Sequence, residues 1–413
     1  MSAQHPDAWQ AALHTIKTLR AKGYVALLAG GCVRDRLLNR TPKDYDVATD
    51  ATPERVKQIF PRSRQVGAKF GVMLVRKFGH DIEVATFRTD GPYSDGRHPD
   101  VVTFGSDEQD ARRRDFTING LFFDPIDDRV IDYVDGRSDL EAGIIRTIGD
   151  PDHRFAEDHL RMLRAVRFAA RLGFEIEPAT TQAIKRLARH LVNISAERVW
   201  IELEMILTDP ARARGWSLLV ELDLCKHLTT AWRHRADDDA GIQARLAALP
   251  PQPIDAALAM TAVLHARGPD EAKSICRALR LSNRVTDAVV WMIDSLPALR
   301  DEGSLELADL KLLMAEESWP QLLDLLQVDL VATEADCAAY ERVCTRAAAI
   351  PPEGVAPPPL LTGADLCDLG MSPGPRMGEI LKAVYRAQLN EQIAAREEAL
   401  ALARKEKRGR SSF

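Results

Sequence analysis

Asp44 and Asp46 lie two residues apart in the run TPKDYDVATD, residues 41–50. Tyr45, Val47 and Thr49 favour a strand, whose side chains alternate faces, so the two carboxylates project the same way and repel each other. Solvent, an arginine or a divalent cation has to compensate. Upstream, YVALLAGG is a short apolar strand that runs into Gly30-Gly31, and CVRDRLLN reads as a helix opening directly after the pair. Bare backbone there lets a phosphate approach amide N–H groups and the positive helix end, with Arg34 one turn on and within reach of the same anion. Alone, a glycine pair is a tight turn and the two aspartates a solvated strand edge. Together they suit two Mg²⁺ ions that clamp a triphosphate and activate a hydroxyl. Glu83 in DIEVATFR is the candidate third acid, on a neighbouring strand whose Ile82 and Val84 point to the opposite, core-facing side.

Two further stretches carry arginines. In ARRRDFTING, Arg112, Arg113 and Arg114 precede Asp115 and an apolar helix. Adjacent arginines at a helix start pair poorly with one another and suit polyphosphate oxygens. In EDHLRMLRAVRFAARLGF, Asp158, Arg161, Arg164, Arg167 and Arg171 follow three- and four-residue steps. Read as one helix, they form a polar ridge beside an apolar stripe of Leu160, Leu163, Val166 and Ala170. Asp158 and Arg161 offer a planar donor fork beside an acceptor, a pairing able to read the Watson–Crick edge of a base with no nucleic-acid template. As a mere surface ion pair they are worth only about 0.3–0.5 kcal/mol.

These residues need elements to position them. Residues 6–22 have the spacing of an amphipathic helix, and TPERVKQIF has Thr52 as cap, Pro53 in the first helical position and Glu54 in the first turn. GVMLVRKF and DIEVATFR fit two strands joined near Gly79-His80. This α/β pattern ends near residue 148, and helical periodicity dominates beyond it, with proline-rich joints at 250–253 and 351–359. The expected fold is an α+β head with a small mixed sheet followed by an all-α remainder. Its divisions are a head over 1–148, a helical neck over 149–208, a helical body over 209–350 and a helical tail over 351–413. At 413 residues, 46% hydrophobic and 28% charged, the chain has room for two to four domains. Its six cysteines show no CxxC spacing, which disfavours zinc and disulfides and points to a reducing cytoplasm. No apolar run reaches the length of a membrane span, and MSAQHPDAWQ lacks signal-peptide character. A net charge of −6 excludes a general nucleic-acid binder, so any RNA contact has to come from local basic patches.

In combination these stretches resemble the class II nucleotidyltransferase family, which includes CCA-adding tRNA nucleotidyltransferases and bacterial poly(A) polymerases. LLAGGCVRDRLLNRTPKDYDVAT resembles its first motif and RRDFTING its second, with Gly120 where the family usually has alanine. DYVDGRSDL, EDHLRMLRAVRFAARLGF and SAERVWIELEMIL resemble the third, fourth and fifth, the last a helix that braces the nucleotide pocket. The likeness spans roughly residues 24 to 208. It implies that Asp44 and Asp46 hold Mg²⁺, with Glu83 as third carboxylate, and that Gly30, Gly31 and Arg34 face the triphosphate. It implies that Arg114 and Asp115 handle ribose and phosphates, that Asp158 and Arg161 select the base, and that Arg164, with Arg167 beyond it, orients that pair or touches phosphate. The implied reaction is attack of an RNA 3′-hydroxyl on the α-phosphate of CTP or ATP with loss of pyrophosphate.

Three features favour tRNA as the acceptor. The chain lacks the strongly basic character of the poly(A) branch, since QVGAKFGVMLVRKF is modest and RKEKRGRSSF is the only basic tail run. The loop in TFRTDGPYSDGRHPDVVTF is full-length, and in CCA-adding relatives such a loop helps the pocket switch from CTP to ATP. LLTGADLCDLGMSPGPRMGEILKAVYRAQL resembles the C-terminal helical element of bacterial CCA-adding enzymes, with a Gly374-Pro375 turn suited to a phosphate. The alternatives are a poly(A) polymerase, an enzyme adding only the terminal A, and a non-catalytic RNA-binding module. A His-Asp phosphohydrolase is set aside, because His80-Asp81 sits at a hairpin turn inside the head.

Overall fold

Ala26–Ala29 (β1) is four apolar residues, each 2% exposed or less, as a strand covered on both faces requires. The computed structural model describes residues 7–66, 71–91, 101–233 and 235–409. The chain forms two compact units, Met1–His234 and Arg235–Phe413.

In the first unit α1 (Ala8–Arg20), capped by the Asp7 carboxylate, precedes β1. Then come α2 (Gly31–Leu37), β2 (Val47–Thr49), α3 (Pro53–Ile59), β3 (Arg64–Gln65), β4 (Val72–Lys77), β5 (His80–Thr86), β6 (Arg88–Asp90) and β7 (Val102–Phe104). They are followed by α4 (Asp107–Arg112), β8 (Phe122–Asp124), β9 (Arg129–Ile131), α5 (Gly136–Ala142), β10 (Ile144–Ile145), α6 (Pro151–Glu157), α7 (Arg161–Leu172), β11 (Glu175–Ile176), α8 (Pro178–Leu187), α9 (Ala196–Leu207) and α10 (Arg212–Glu221). The main sheet has the order β3-β4-β5-β2-β1-β8-β9. β1 pairs antiparallel with β2 and β8, while β2 pairs parallel with β5, so the sheet is mixed. The register sets Val47 against Val84, which brings Asp46, just before β2, beside Glu83 in the middle of β5.

Several local expectations change. The strand expected over Asp44–Asp50 pairs only over Val47–Thr49, because Gly30, at φ +71°, turns the partner chain away. The ladder closes with the Ala29 amide donating to the Asp46 carbonyl at 3.0 Å, and Asp44 lies in the segment leading in. Thr52 holds the N-cap position of α3, but its side chain makes no capping hydrogen bond. The β4–β5 turn is Phe78-Gly79, both at positive φ as a two-residue hairpin requires, and His80 already pairs with Lys77. The three arginines close α4 rather than open a helix. Ser106 and Gln109 form a capping box at its start, and cations suit its negative C-terminal end. EDHLRMLRAVRFAARLGF is also broken: α6 ends at Glu157, Asp158 is extended at φ −153°, and α7 begins at Arg161. The Asp158 carboxylate causes the break by accepting from the Leu160 amide at 3.1 Å instead of pointing along a helix face.

The second unit is helical among its described residues, from α11 (Ala236–Ala248) to the helix Arg396–Gly409. Its C-terminal helices close on Leu366, Met377, Ile380, Val384 and Ala399. Deeper in the same unit the fully buried Asp329 faces His265 at 3.0 Å and Arg300.

Gly136 opens α5 against the short helical turn Thr117–Asn119. A Cβ there would lie 2.1 Å from the Thr117 carbonyl oxygen, which is backbone and cannot step aside. At Gly120 a Cβ would meet Val134 Cγ2 at 2.7 Å and Ile148 Cδ1 at 3.2 Å, both ends of side chains that can rotate. Gly136→Ala is therefore expected to destabilise the first unit by about 3 kcal/mol or more and Gly120→Ala by about 1 kcal/mol. Urea denaturation checks the order, and equal losses would refute the backbone-contact explanation.

Candidate functional site

A cavity of about 700 Å³ opens between the sheet end at Gly30 and the helices α7 and α9. Twelve of the residues singled out in the sequence line it: Gly30, Gly31, Arg34, Asp46, Arg113, Arg114, Asp115, Asp158, Arg161, Arg164, Arg167 and Arg171. Asp44 and Glu83 do not line it, but both act electrostatically on Asp46 at its edge. Arg112 points elsewhere and pairs with Glu108 on the exposed side of α4. In total nine arginines face this space against four aspartates.

The arginines are held from behind by buried acids and amides. Asp115 is the hub. Its Oδ2 accepts from Arg164 at 2.7 and 2.8 Å, and its Oδ1 accepts from Asn119 Nδ2 at 3.0 Å and the Phe116 amide at 2.9 Å. Asn119 Oδ1 in turn accepts from Arg34 at 2.7 Å, linking α2 to the second motif. Burial alone would raise the Asp115 pKa, but Arg164 and Asn119 overcome it and hold the carboxyl well below the usual carboxylate range. Asp110, 2% exposed, anchors Arg113 at 2.6 Å and Arg114 at 2.9 Å, and these cations likewise outweigh its burial and lower its pKa. Arg114 Nη1 also donates to the Asn119 carbonyl at 3.3 Å. A Cβ on Gly30 would sit 2.8 Å from that nitrogen, the end of a side chain that can shift, so the glycine is required by its positive φ.

The two base-reading candidates have separate partners. Asp158 accepts from Arg198 of α9 at 2.7 Å, and Arg161 donates to the Glu157 carboxylate and, at 2.8 Å, to the Arg154 carbonyl. Both side chains therefore reach the cavity already oriented.

At the other end the charge reverses. Burial, then Glu83, then Asp44 raise the Asp46 pKa to about 6 against the opposing pull of Arg114. Three carboxylates that repel one another while one is half-buried are a place where a divalent cation gains. Among the described residues no three His, Cys, Asp or Glu side chains are grouped closely enough to hold a metal ion by themselves.

Sequence reading missed Asp110, Asn119, Arg198, Glu202 and Phe168. Glu202 is a buried acid 2.7 Å from Arg167 and 3.5 Å from Arg164. One signal was available: a lone acid on the apolar face of SAERVWIELEMIL needs a buried cation. Asn119 had no such mark.

Changing Asp115 to Asn is expected to cost about 2–4 kcal/mol, discounted from a fully buried pair because Arg164 keeps about a third of its side chain in solvent. The folded pKa of Asp115 is depressed, so its stabilisation is complete above the unfolded value near 3.9 and fades as pH falls further. The stability gap between wild type and variant should be constant from about pH 5 to 8 and narrow below about pH 4, read by urea titration. A gap that widens on acidification would contradict the assignment.

The chain resembles known proteins along most of its length. Residues 26–146 match the family model of the poly A polymerase head domain, and residues 252–403 that of tRNA nucleotidyltransferase domain 2. Residues 173–231 match a model described as an RNA and SrmB binding site of polymerase A. The chain is 36% identical over 404 residues to the CCA-adding enzyme of Lactiplantibacillus plantarum, with 96% of each covered. It is 37% identical over 402 residues to that of Geobacillus stearothermophilus, with 95% of each covered. The crystal structure of the Bacillus stearothermophilus CCA-adding enzyme in complex with CTP superposes with a TM-score of 0.82 at 32% identity, covering 99% of this chain and 100% of that one. Alike from end to end in sequence and in fold, this chain belongs to the CCA-adding enzyme family.

Proposed function

We propose that this chain is a tRNA nucleotidyltransferase that adds CMP and then AMP, from CTP and ATP, to the 3′ end of tRNA without a nucleic-acid template. The observation that carries the reading is the single cavity running from Asp46 to Asp158 and Arg161. A reacting phosphate and a base read by side chains lie within one nucleotide's reach only if these groups share a space.

In this reading Gly30 and Gly31 admit the triphosphate against bare backbone, and Arg34 and Arg114 supply the cations beside it. Asp115 holds Arg164, and Arg164 and Arg167 bear on the nucleotide from α7. Asp158, oriented by Arg198, and Arg161, oriented by Glu157, meet the base edge with an acceptor and a donor fork. In the transfer, a bond forms between the RNA 3′-oxygen and the α-phosphorus as the bond to the pyrophosphate oxygen breaks. The arginines gather the charge that accumulates on the departing pyrophosphate. Asp44 and Asp46, with Glu83 beside them, are the residues that would hold Mg²⁺, which supplies charge neutralisation and a more acidic 3′-hydroxyl.

The loop of TFRTDGPYSDGRHPDVVTF falls at residues 92–100 outside the described residues, as do 67–70 of the neighbouring segment and 410–413 of the basic tail. We assign the helices of 209–350 to a body supporting the acceptor stem and 351–413 to a tRNA-binding tail, in which Gly374 caps the helix Pro375–Leu389. Among the described residues no helix is long and apolar enough to cross a membrane, and all six cysteines are free thiols. Both facts accord with a reaction in the cytoplasm.

Asp46→Ala is expected to lower nucleotide incorporation by about 10³ or more while tRNA binding changes by less than about threefold. Filter binding and single-turnover incorporation read the two separately, and surviving incorporation would sink the enzymatic reading. Offered tRNA lacking CCA, tRNA lacking only the final A, and an unstructured oligonucleotide, with CTP and ATP separately and together, the enzyme should complete CCA on tRNA and stop. Long A tracts on the oligonucleotide would establish a poly(A) polymerase instead, and failure on tRNA lacking all of CCA an A-adding enzyme.

A further inference from the structure

Phe168 lies in the cavity wall in the middle of α7. Three guanidinium groups stand over its ring: Arg167 at 4.5 Å from the centroid, Arg34 at 5.1 Å and Arg164 at 5.3 Å. Two of these arginines come from α7 itself and the third from α2, so the ring joins elements that are far apart in sequence. The ring is fixed in turn, being 6% exposed and meeting Phe116 edge-on at 5.8 Å.

Three cations on one ring repel each other, and acids already stand at their edges. Arg34 has Asp35 at 2.7 Å, Arg164 has Asp115 at 2.7 Å, and Arg167 has Glu202 at 2.7 Å. A further carboxylate would occupy more N–H groups and cancel the remaining positive field. An aromatic face does neither, because its quadrupole attracts the flat side of a guanidinium and leaves the in-plane N–H groups able to donate. We infer that Phe168 is a positioning residue for nucleotide binding, its ring gathering Arg34, Arg164 and Arg167 into one polyphosphate-facing cluster while leaving their charge and hydrogen-bonding edges available. The inference rests on the cavity being the nucleoside triphosphate site.

The ring acts through arginines and not through the base, so its loss should weaken CTP and ATP alike. Phe168→Leu is expected to raise KM for both nucleotides about tenfold, equivalent to about 1.4 kcal/mol, with kcat changed less than about threefold. Phe168→Tyr, which keeps the π face, should stay near wild type. Because Phe168 also packs on Phe116, a series in which phenylalanine at 168 is replaced by its mono-, di- and trifluorinated analogues preserves shape while draining the ring's quadrupole. In the full-length protein, ATP affinity by equilibrium binding should fall stepwise along that series. Wild type that binds ATP with an affinity indifferent to fluorination would overturn the inference and leave the proposed activity standing. Phe168→Tyr behaving as Phe168→Leu would also overturn it, by showing that shape and not the π face matters. Wild type that fails to bind ATP at all would remove the nucleotide-site reading and the inference with it.

Discussion

Nine arginines lining one cavity repel each other, and the first unit is arranged to hold them there. Two like charges a few ångströms apart cost on the order of 1 kcal/mol in water and several times that in a partly dry cleft. The structure answers with a layer of acids behind the arginines. Asp110 and Glu202, both under 5% exposed, are turned away from solvent and Asp115 is nearly buried in the wall, while the cations they anchor face the cavity. The surface a ligand meets is thus cationic although the whole chain carries a charge of −6. That resolves how a mildly acidic protein can present a site for a polyanion.

The same requirement explains the shape of the backbone around the cavity. Gly30 takes a φ of +71° that would strain any other residue, and Gly136 sits where the Thr117 carbonyl leaves no room for a Cβ. The turn carrying Asn119 is thereby pressed onto α5, and Asn119 passes its orientation to Arg34 and Asp115 through hydrogen bonds at 2.7 and 3.0 Å. Contacts this tight leave the arginines few alternative positions. An electrostatic site is most effective when its dipoles and charges need not rearrange as a reaction proceeds.

Charge is also separated along the cavity. Cations hold the middle, while at the sheet end burial, then the nearby Glu83 and Asp44, push Asp46 up to about 6. Arg114 joins the two regions, pairing with Asp110 while lowering the pKa of Asp46. At the far end, the break between α6 and α7 frees Asp158 to be held by Arg198 and Arg161 by Glu157. One continuous helix would have placed that acid and that arginine on a ridge facing each other. The broken one presents them separately, each fixed from its own side.

Much of this was legible in the residues. Short-range rules gave the strand into Gly30-Gly31 and the helix after it, the β4–β5 hairpin, the head-then-helices order and twelve residues of the cavity wall, because glycine freedom, period-two alternation and charge spacing are local properties. Local rules also misplaced things. They read Asp44–Asp46 as paired strand and Asp158 as helix, since neither the end of a β-ladder nor the hold of Arg198 on a residue forty positions away is written in a neighbouring side chain. Tertiary structure alone decided which acid anchors which arginine, that Asn119 is the link between Arg34 and Asp115, and that Phe168 faces three cations as well as the core. Such pairings depend on where distant segments meet, and that is set by packing of the whole sheet and its helices.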